Sequence, residues 1–584
     1  MKSFFKNVFA NIVAIVILCF VFFFFFIIMI AISSVSGEKS VNVKKNSVLT
    51  INLKTSIIDS PTEEQQSIFN LKDKNTNILI YDAVEAIHKA KNDDNIKGIS
   101  IETDNINAGT TQIDDLRNAI DDFKKSGKFV YAYGNSVSQA SYYLGSVADQ
   151  YYLNPSGGIE LKGLATEVTF FKDFAEKYGI GIEVIRHGKF KSAVEPFLRN
   201  DISPENKEQL STLLNDIWGN TSSKMAASRK MQSEEFKTVV DSLYGMIPDL
   251  TVKYKLADKL IQKSEYDQLI RTKLSLAEKD NLNKVSLQKY IDSFDDKDSS
   301  GEKVAVLYAS GSINNGDEYS DIYSEKYIKY IKELQKDDKV KAVVLRINSP
   351  GGSANASDEI LFELQQLKKT KPLVVSFGDY AASGGYYIAM GADKIYSEPN
   401  TLTGSIGVFG VLPYFKDIAN KNGVRSDIVA TNANSAYYSS LHGLTPYGVN
   451  LMTRSVEGTY KRFVYFVTQN RKKTFEQIDN IGGGRVWSGV RAKEIGLVDE
   501  LGTLNDAVKF AAQKANLKSY NVASYPKRMT AFEQIFDDMN EDDISARVIK
   551  NKIGKANYEI LEQLTDEKLK SEVKMEMPYR IKIN

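Results

Sequence analysis

The sequence predicts an α/β protein in which one parallel-sheet domain is built twice, behind a single transmembrane helix. Three observations carry this reading. Two long segments match each other at a constant offset. Each copy alternates short β-branched runs with amphipathic helical stretches. One apolar run near the start is long enough to cross a bilayer.

The repeat sets the architecture, because a missed duplication misassigns the fold. NIKGISIETDNI from Asn95 matches KVKAVVLRINSP from Lys339, and DDLRNAIDDFKKSGKFVYAYG from Asp114 matches DEILFELQQLKKTKPLVVSFG from Asp358. SYYLGSVADQYYLNP from Ser141 matches GYYIAMGADKIYSEP from Gly385, and FFKDFAEKYGI from Phe170 matches YFKDIANKNGV from Tyr414. Every pair is separated by 244 positions (339 − 95, 385 − 141). Within each copy a β-branched run (Ile96–Ile101; Val340–Ile347) leads to a loop and then to a helix. In the second copy that helix carries Ile360, Leu361, Leu364 and Leu367 on one face. A buried strand follows (Phe129–Tyr133; Leu373–Phe377). Strands alternating with helices predict parallel βαβ units.

Val8 to Ile32 is apolar over 25 residues (32 − 8 + 1) apart from Asn11. As a helix it would extend about 37 Å, more than the roughly 30 Å of a bilayer core. It exceeds the usual apolar region of a cleaved signal, so it is expected to stay as an anchor; the competing reading is a long signal cut near Ser33–Gly37. The expected organisation is an anchor and stalk over residues 1–45, a first domain over 46–292, a polar linker over 293–303, a second domain over 304–527, and a helical extension over 528–584.

Composition narrows the chemistry. Lys+Arg is 75 and Asp+Glu is 74, so the basic excess of a nucleic-acid binder is missing and no nucleic-acid partner is expected. The one cysteine, Cys19, lies in the apolar run, which excludes structural disulfides and a cysteine nucleophile in the rest of the chain. Three histidines, with no HExxH spacing, make a histidine zinc site a poor expectation; no metal or cofactor is called for.

Two Gly-rich loops in the second copy point to acyl transfer: NSPGGS (Asn348–Ser353) and GDYAASGGYY (Gly378–Tyr387). A serine at a strand-to-helix turn, followed by glycines, combines a nucleophile with backbone donors for an oxyanion. Ser383 is that serine. At the matching positions the first copy has Gln139 and Ala140, and Ile106-Asn107-Ala108 faces Pro350-Gly351-Gly352. The base shows the opposite asymmetry: Lys191-Ser192-Ala193 in HGKFKSAVEPF faces Asn434-Ser435-Ala436, one residue out of register. One copy is therefore expected to supply the serine and the other a lysine. A lysine accepts a proton only when neutral, which burial permits by lowering its pKa; Phe190, Ala193, Val194 and Phe197 are candidate apolar neighbours. Lys189 and His187 are rival bases. Ser405 in LTGSIG is placed to orient the lysine, or to form a plain turn, and Asp379 reads equally as a helix cap.

KSAVEPF together with NSPGGS, GDYAASGGYY and TLTGSIGVFG resembles signal peptide peptidase A in its long, duplicated form, over nearly the whole chain. The resemblance implies a ClpP/crotonase-like fold in each half. It also implies a serine endopeptidase with Ser383 as nucleophile and Lys191 as general base, acting on spent signal peptides and other hydrophobic peptides. Gly384 would contribute to the oxyanion hole, with Gly351 and Gly352 beside it and Ser405 orienting the lysine. It further implies a homotetramer on the extracytoplasmic side of the inner membrane, attached to the lipid bilayer through Val8–Ile32. Two other classes remain on the residues alone: a crotonase-like acyl-CoA enzyme, which would not need Lys191, and a non-enzymatic membrane scaffold.

Overall fold

The computed structural model describes residues 9, 11–23, 43–52, 56–61, 77–277, 280–294, 301–317, 321–527 and 574–577. Most of the segment Val8–Ile32 lies within or beside 11–23, which is helical with exposed side chains; the remainder falls outside the described residues. Among the described residues no helix is long and apolar enough to cross a membrane.

Each copy is built on its own parallel sheet. The first runs, in spatial order, Lys259–Leu260, Gln150–Glu160, Phe129–Ser138, Ile96–Ile101, Ser47–Ile51 and Lys284–Ser286. The second has Leu373–Ala382, Val340–Ser349, Lys303–Ser310 and Asn521–Tyr525 side by side, with Lys394–Ser397 flanking the first of these. Equivalent strands begin at Ile96 and Val340, at Phe129 and Leu373, and at Gln150 and Lys394. The helices Thr110–Lys124 and Ala354–Lys368 keep the same 244-residue spacing (354 − 110). Helices cover both faces of such sheets, which is why their strands read as nearly continuous apolar runs. In the second copy Ser353 caps its helix by accepting from Ala356 N, 3.3 Å, and Ile360, Leu361, Leu364 and Leu367 are buried beneath it.

The two copies share interior. Ile58 and Leu79 from the first half pack into one cluster with Val304, Val306, Ala342 and Val374 of the second sheet. Beside them Asp59 meets Arg346, both wholly buried, at 2.8–3.2 Å through Nε and Nη2. Arg346 also donates to Ser376 Oγ (2.9 Å) and the Phe377 carbonyl (2.7 Å). Asp379, in the second copy, accepts from Thr111 N (2.9 Å) and Thr111 Oγ1 (3.0 Å), so it caps the first turn of the helix Thr110–Lys124 in the first copy. A Cβ at Gly109 would collide with that carboxylate.

A third, mixed sheet belongs to neither copy alone. Its order is Ile322–Tyr323, Ile313–Asn314, Gly351–Ser353, Lys574–Glu576, Phe409–Tyr414, Gly181–Arg186. It takes strands from the first half, the second half and the C-terminal region. In that region, expected from the sequence to be a peripheral helical extension, the described residues 574–576 are a strand inside the fold. The remaining residues of 528–584 lie outside the described residues apart from Met577.

Removing one partner of a buried ion pair leaves the other charge stranded, at roughly 3–5 kcal/mol. Asp59→Ala should lower unfolding stability by about that amount in urea titration.

Candidate active site

The geometry starts with the strand Gly181–Arg186. It pairs antiparallel with Phe409–Tyr414 over its full length, from Gly181 opposite Tyr414 to Arg186 opposite Phe409. First-half chain is thereby carried onto the second half. His187 N continues the pairing to the Val408 carbonyl at 3.0 Å, and Phe190 N donates to the Gly483 carbonyl at 3.1 Å. The next residue is Lys191, fully buried. The corresponding stretch of the second copy, 425–430, has no strand and is exposed, so the copies have diverged here.

The run Gly482-Gly483-Gly484 fits tightly around this turn. A Cβ on Gly484, whose φ is +86°, would come within 2.6 Å of both Lys191 N and Lys191 Cβ. One on Gly407 would lie 3.3 Å from Lys191 Cδ. Gly484 N donates to the Ile406 carbonyl (2.8 Å) and Ser405 N to the Arg485 carbonyl (2.7 Å), so the loop is also tied to the segment bearing Ser405. Beyond the lysine, Glu195 is buried and accepts from Ser203 Oγ (2.6 Å) and Asn206 Nδ2 (3.2 Å). Gln209 donates to Ser192 Oγ (3.4 Å) and accepts from Val486 N (2.8 Å). The lysine's loop is thus anchored on both sides.

Ser383 closes the strand Leu373–Ala382 and precedes the helical turn Gly384–Ile388. Its backbone has φ 54° and ψ −115°, a conformation that a non-glycine residue adopts only under strain, held here by Ser383 N donating to the Gly404 carbonyl at 2.8 Å. Gly384 lies against the neighbouring loop: a Cβ there would meet Ser357 Oγ at 2.7 Å and Gly351 Cα at 3.2 Å. Conversely a Cβ on Gly351 (φ +101°) would come within 2.7 Å of Gly384 N. Only glycine at these two positions lets the two backbones approach so closely.

Lys191 Nζ stands 2.8 Å from Ser383 Oγ, 2.9 Å from Ser405 Oγ and 3.2 Å from the Ser405 carbonyl. All three side chains are buried. Burial in this dry pocket brings the Lys191 ammonium down to about 7, against a smaller opposing pull from Glu576. An amine that is neutral near pH 7 and in hydrogen-bond contact with a serine hydroxyl can accept that serine's proton. No group of histidine, cysteine, aspartate or glutamate suited to a metal occurs among the described residues.

Of the rival bases, His187 is stacked on the Tyr460 ring, centroids 3.8 Å apart, and Lys189 is exposed with its Nζ over Phe190. Phe197 stacks on Phe171 and Phe190 on Arg485, while Gly407, Gly484 and the Phe409 ring (5.8 Å from Nζ) line the lysine. The IGGGR run was visible in the sequence as three consecutive glycines but carried no sign of its partner. Gly351 lies against Gly384 and Ala382, the neighbours of Ser383, while Gly352 lies against Ile313; Gly351 N–H donates to Ser349 Oγ at 3.1 Å, and both glycines belong to a strand held between Ile313–Asn314 and Lys574–Glu576.

The model of peptidase family S49 matches residues 122–277 and 365–518, one stretch in each copy, and a Clp protease model matches 296–403. The chain is 37% identical over 471 residues to Protease 4 of Salmonella typhi, covering 79% of this chain and 76% of that one. It is 32% identical over 510 residues to Protease 4 of Haemophilus influenzae, covering 84% and 82%. It is likewise 32% identical over 497 residues to the chloroplastic serine protease SPPA of Arabidopsis thaliana, covering 81% and 70%. Duplicated α/β domains of ClpP type and these relatives define a serine peptidase. The chain belongs to peptidase family S49.

A base that must be neutral fixes the sign of the pH dependence. Activity is expected to fall as Lys191 gains its proton below about 7 and to level off above it, as a kcat/KM profile on a non-titrating peptide would reveal. Gly484→Ala should displace the Lys191 backbone and lower kcat/KM by about 100-fold, the usual loss for a misplacement near 1 Å.

Proposed function

We propose that this serine peptidase is a membrane-anchored endopeptidase that degrades cleaved signal peptides and other hydrophobic peptides, with Ser383 as nucleophile and Lys191 as general base. The observation that carries the reading is the 2.8 Å contact between Lys191 Nζ and Ser383 Oγ inside a fully buried pocket. Neutral Lys191 takes the hydroxyl proton as Ser383 Oγ attacks a peptide carbonyl carbon. The developing oxyanion is received by the Gly384 N–H, with the Gly351-Gly352 loop positioning the substrate backbone. Ser405 holds the amine in line by its two contacts. Lys191 then returns the proton to the leaving nitrogen, the C–N bond breaks, and water hydrolyses the acyl-enzyme by the same route.

The apolar run Val8–Ile32 supports a single-pass anchor in the cytoplasmic membrane with the peptidase domains outside the cytoplasm. A tethered enzyme suits substrates left in or near the bilayer. Assembly as a homotetramer is part of the same proposal. Hydrolysis of a hydrophobic fluorogenic peptide by a version of the chain beginning at Lys44 tests the chemistry. Ser383→Ala and Lys191→Ala should each abolish turnover while circular dichroism stays native. A folded variant of either kind that retained activity would remove that residue from the mechanism.

A further inference from the structure

The proton transfer leaves His187 without a task, yet its place is tightly defined. It lies just ahead of Lys191, where the strand Gly181–Arg186 has ended, and residues 187–191 have no regular secondary structure of their own. What holds them is the second copy. His187 N donates to the Val408 carbonyl at 3.0 Å and Phe190 N to the Gly483 carbonyl at 3.1 Å. A Cβ on Gly188, whose φ is +89°, would come within 2.3 Å of that same Gly483 oxygen. The course of the chain into Lys191 is therefore set by where Gly482–Gly484 lies. A run of glycines has more conformational freedom than any other sequence, so it needs a clamp from outside to take one position.

Tyr460 touches both sides of this contact. It projects from the second-copy helix Pro446–Arg471 and is 1% exposed. Its ring stacks on the His187 imidazole, with centroids 3.8 Å apart and planes 24° apart. Its hydroxyl donates to Asp479 Oδ1 and accepts from the Gly483 backbone N–H. Asp479 belongs to the helix Phe475–Ile481, which leads directly into the glycine run, and its carbonyl accepts from Gly482 N at 3.2 Å. A Cβ on Gly482 would sit 3.2 Å from the phenol oxygen and 2.9 Å from the Ile478 carbonyl oxygen. The ring face thus carries first-half chain, while the hydroxyl carries the second-half loop on which that chain rests.

We propose that Tyr460, with Asp479 and His187, is a positioning residue for the general base: it locks the Lys191 segment onto the Gly482–Gly484 loop and so sets the amine in line with Ser383. The inference rests on reading Lys191 as the base for Ser383. Displacing the amine has two consequences. Proton transfer slows, because it needs hydrogen-bond reach. Water gains access to the amine and favours its charged form. Besides His187 and Asp479, the charged groups around the segment are Glu576, which acts on Lys191, Arg186, whose Nη1 donates to the Lys191 carbonyl at 3.3 Å, and Arg485 over the Phe190 ring.

Wild type, Tyr460→Phe, Asp479→Ala, His187→Ala and His187→Phe should be compared on one hydrophobic fluorogenic peptide across pH. Tyr460→Phe keeps the stacked ring and loses both hydroxyl bonds. It and Asp479→Ala are expected to lower kcat about tenfold, less than the roughly 100-fold of a 1 Å misplacement, with KM unchanged. The acid limb of kcat/KM should move to higher pH. His187→Ala should behave alike, and His187→Phe, which restores a ring to stack, should recover most of the loss. Hydrogen exchange over residues 187–192 and 481–486 needs no catalysis. In a Ser383→Ala background it should be faster with Tyr460→Phe than with Tyr460 intact. Wild-type kcat, pH profile and exchange in Tyr460→Phe would overturn the proposal. So would a loss confined to KM, or a His187→Phe enzyme as impaired as His187→Ala, which would make the imidazole itself the active group. If no version cleaves peptide, wild type included, but exchange still differs, the assigned roles of Ser383 and Lys191 fall and the clamp stands.

Discussion

A single requirement organises the site: a lysine amine must be kept uncharged in contact with a serine. Water would defeat this at once, because a solvated amine stays protonated near neutral pH. The pocket therefore excludes water on every side of Lys191, with glycine backbone at Gly407 and Gly484 pressed on its stem and the hydroxyls of Ser383 and Ser405 at its tip. Nothing in the pocket compensates a charge strongly. Glu195, the acid nearest in sequence, is turned away and satisfied by Ser203 and Asn206. The strained backbone of Ser383 and the glycine run at 482–484 both serve the approach of these two side chains.

Duplication supplied the parts and divergence divided them. Gln139 stands where the second copy has Ser383. Its carbonyl oxygen accepts from Lys162 N (3.0 Å) and Gly163 N (2.8 Å), and its amide donates to the Gly163 carbonyl (3.1 Å). The first copy's strand-to-helix turn is thus closed by its own backbone. What that copy contributes instead is a strand that crosses to its sibling and brings the lysine along. The buried Asp59–Arg346 pair and the Asp379 cap on a first-copy helix hold the halves in the register this crossing needs.

The sheet strands and their helices were readable because local alternation and the repeat agreed with each other. The serine and lysine were readable because each is missing from the opposite copy. What could not be read was pairing between distant segments. The strand Gly181–Arg186 has ordinary β character, and nothing local says that it joins Phe409–Tyr414. Gly407 and Gly484, pressed on the lysine's stem, lie more than two hundred positions from it in the chain, so nothing local marked them. The strand at Lys574–Glu576 follows a long charged stretch and has three residues, too few for any periodicity to mark it.

The crossing strand also governs when the protein becomes able to act. Lys191 and Ser383 are 192 positions apart, and neither half contains a working pair. A chain still being made, with its second half absent, holds the lysine without the serine it contacts. On the proposed Ser383–Lys191 chemistry, the pair is complete only once Phe409–Tyr414 is paired with Gly181–Arg186. On that same chemistry, a first half made alone is harmless to its neighbours and to itself until the second half joins it.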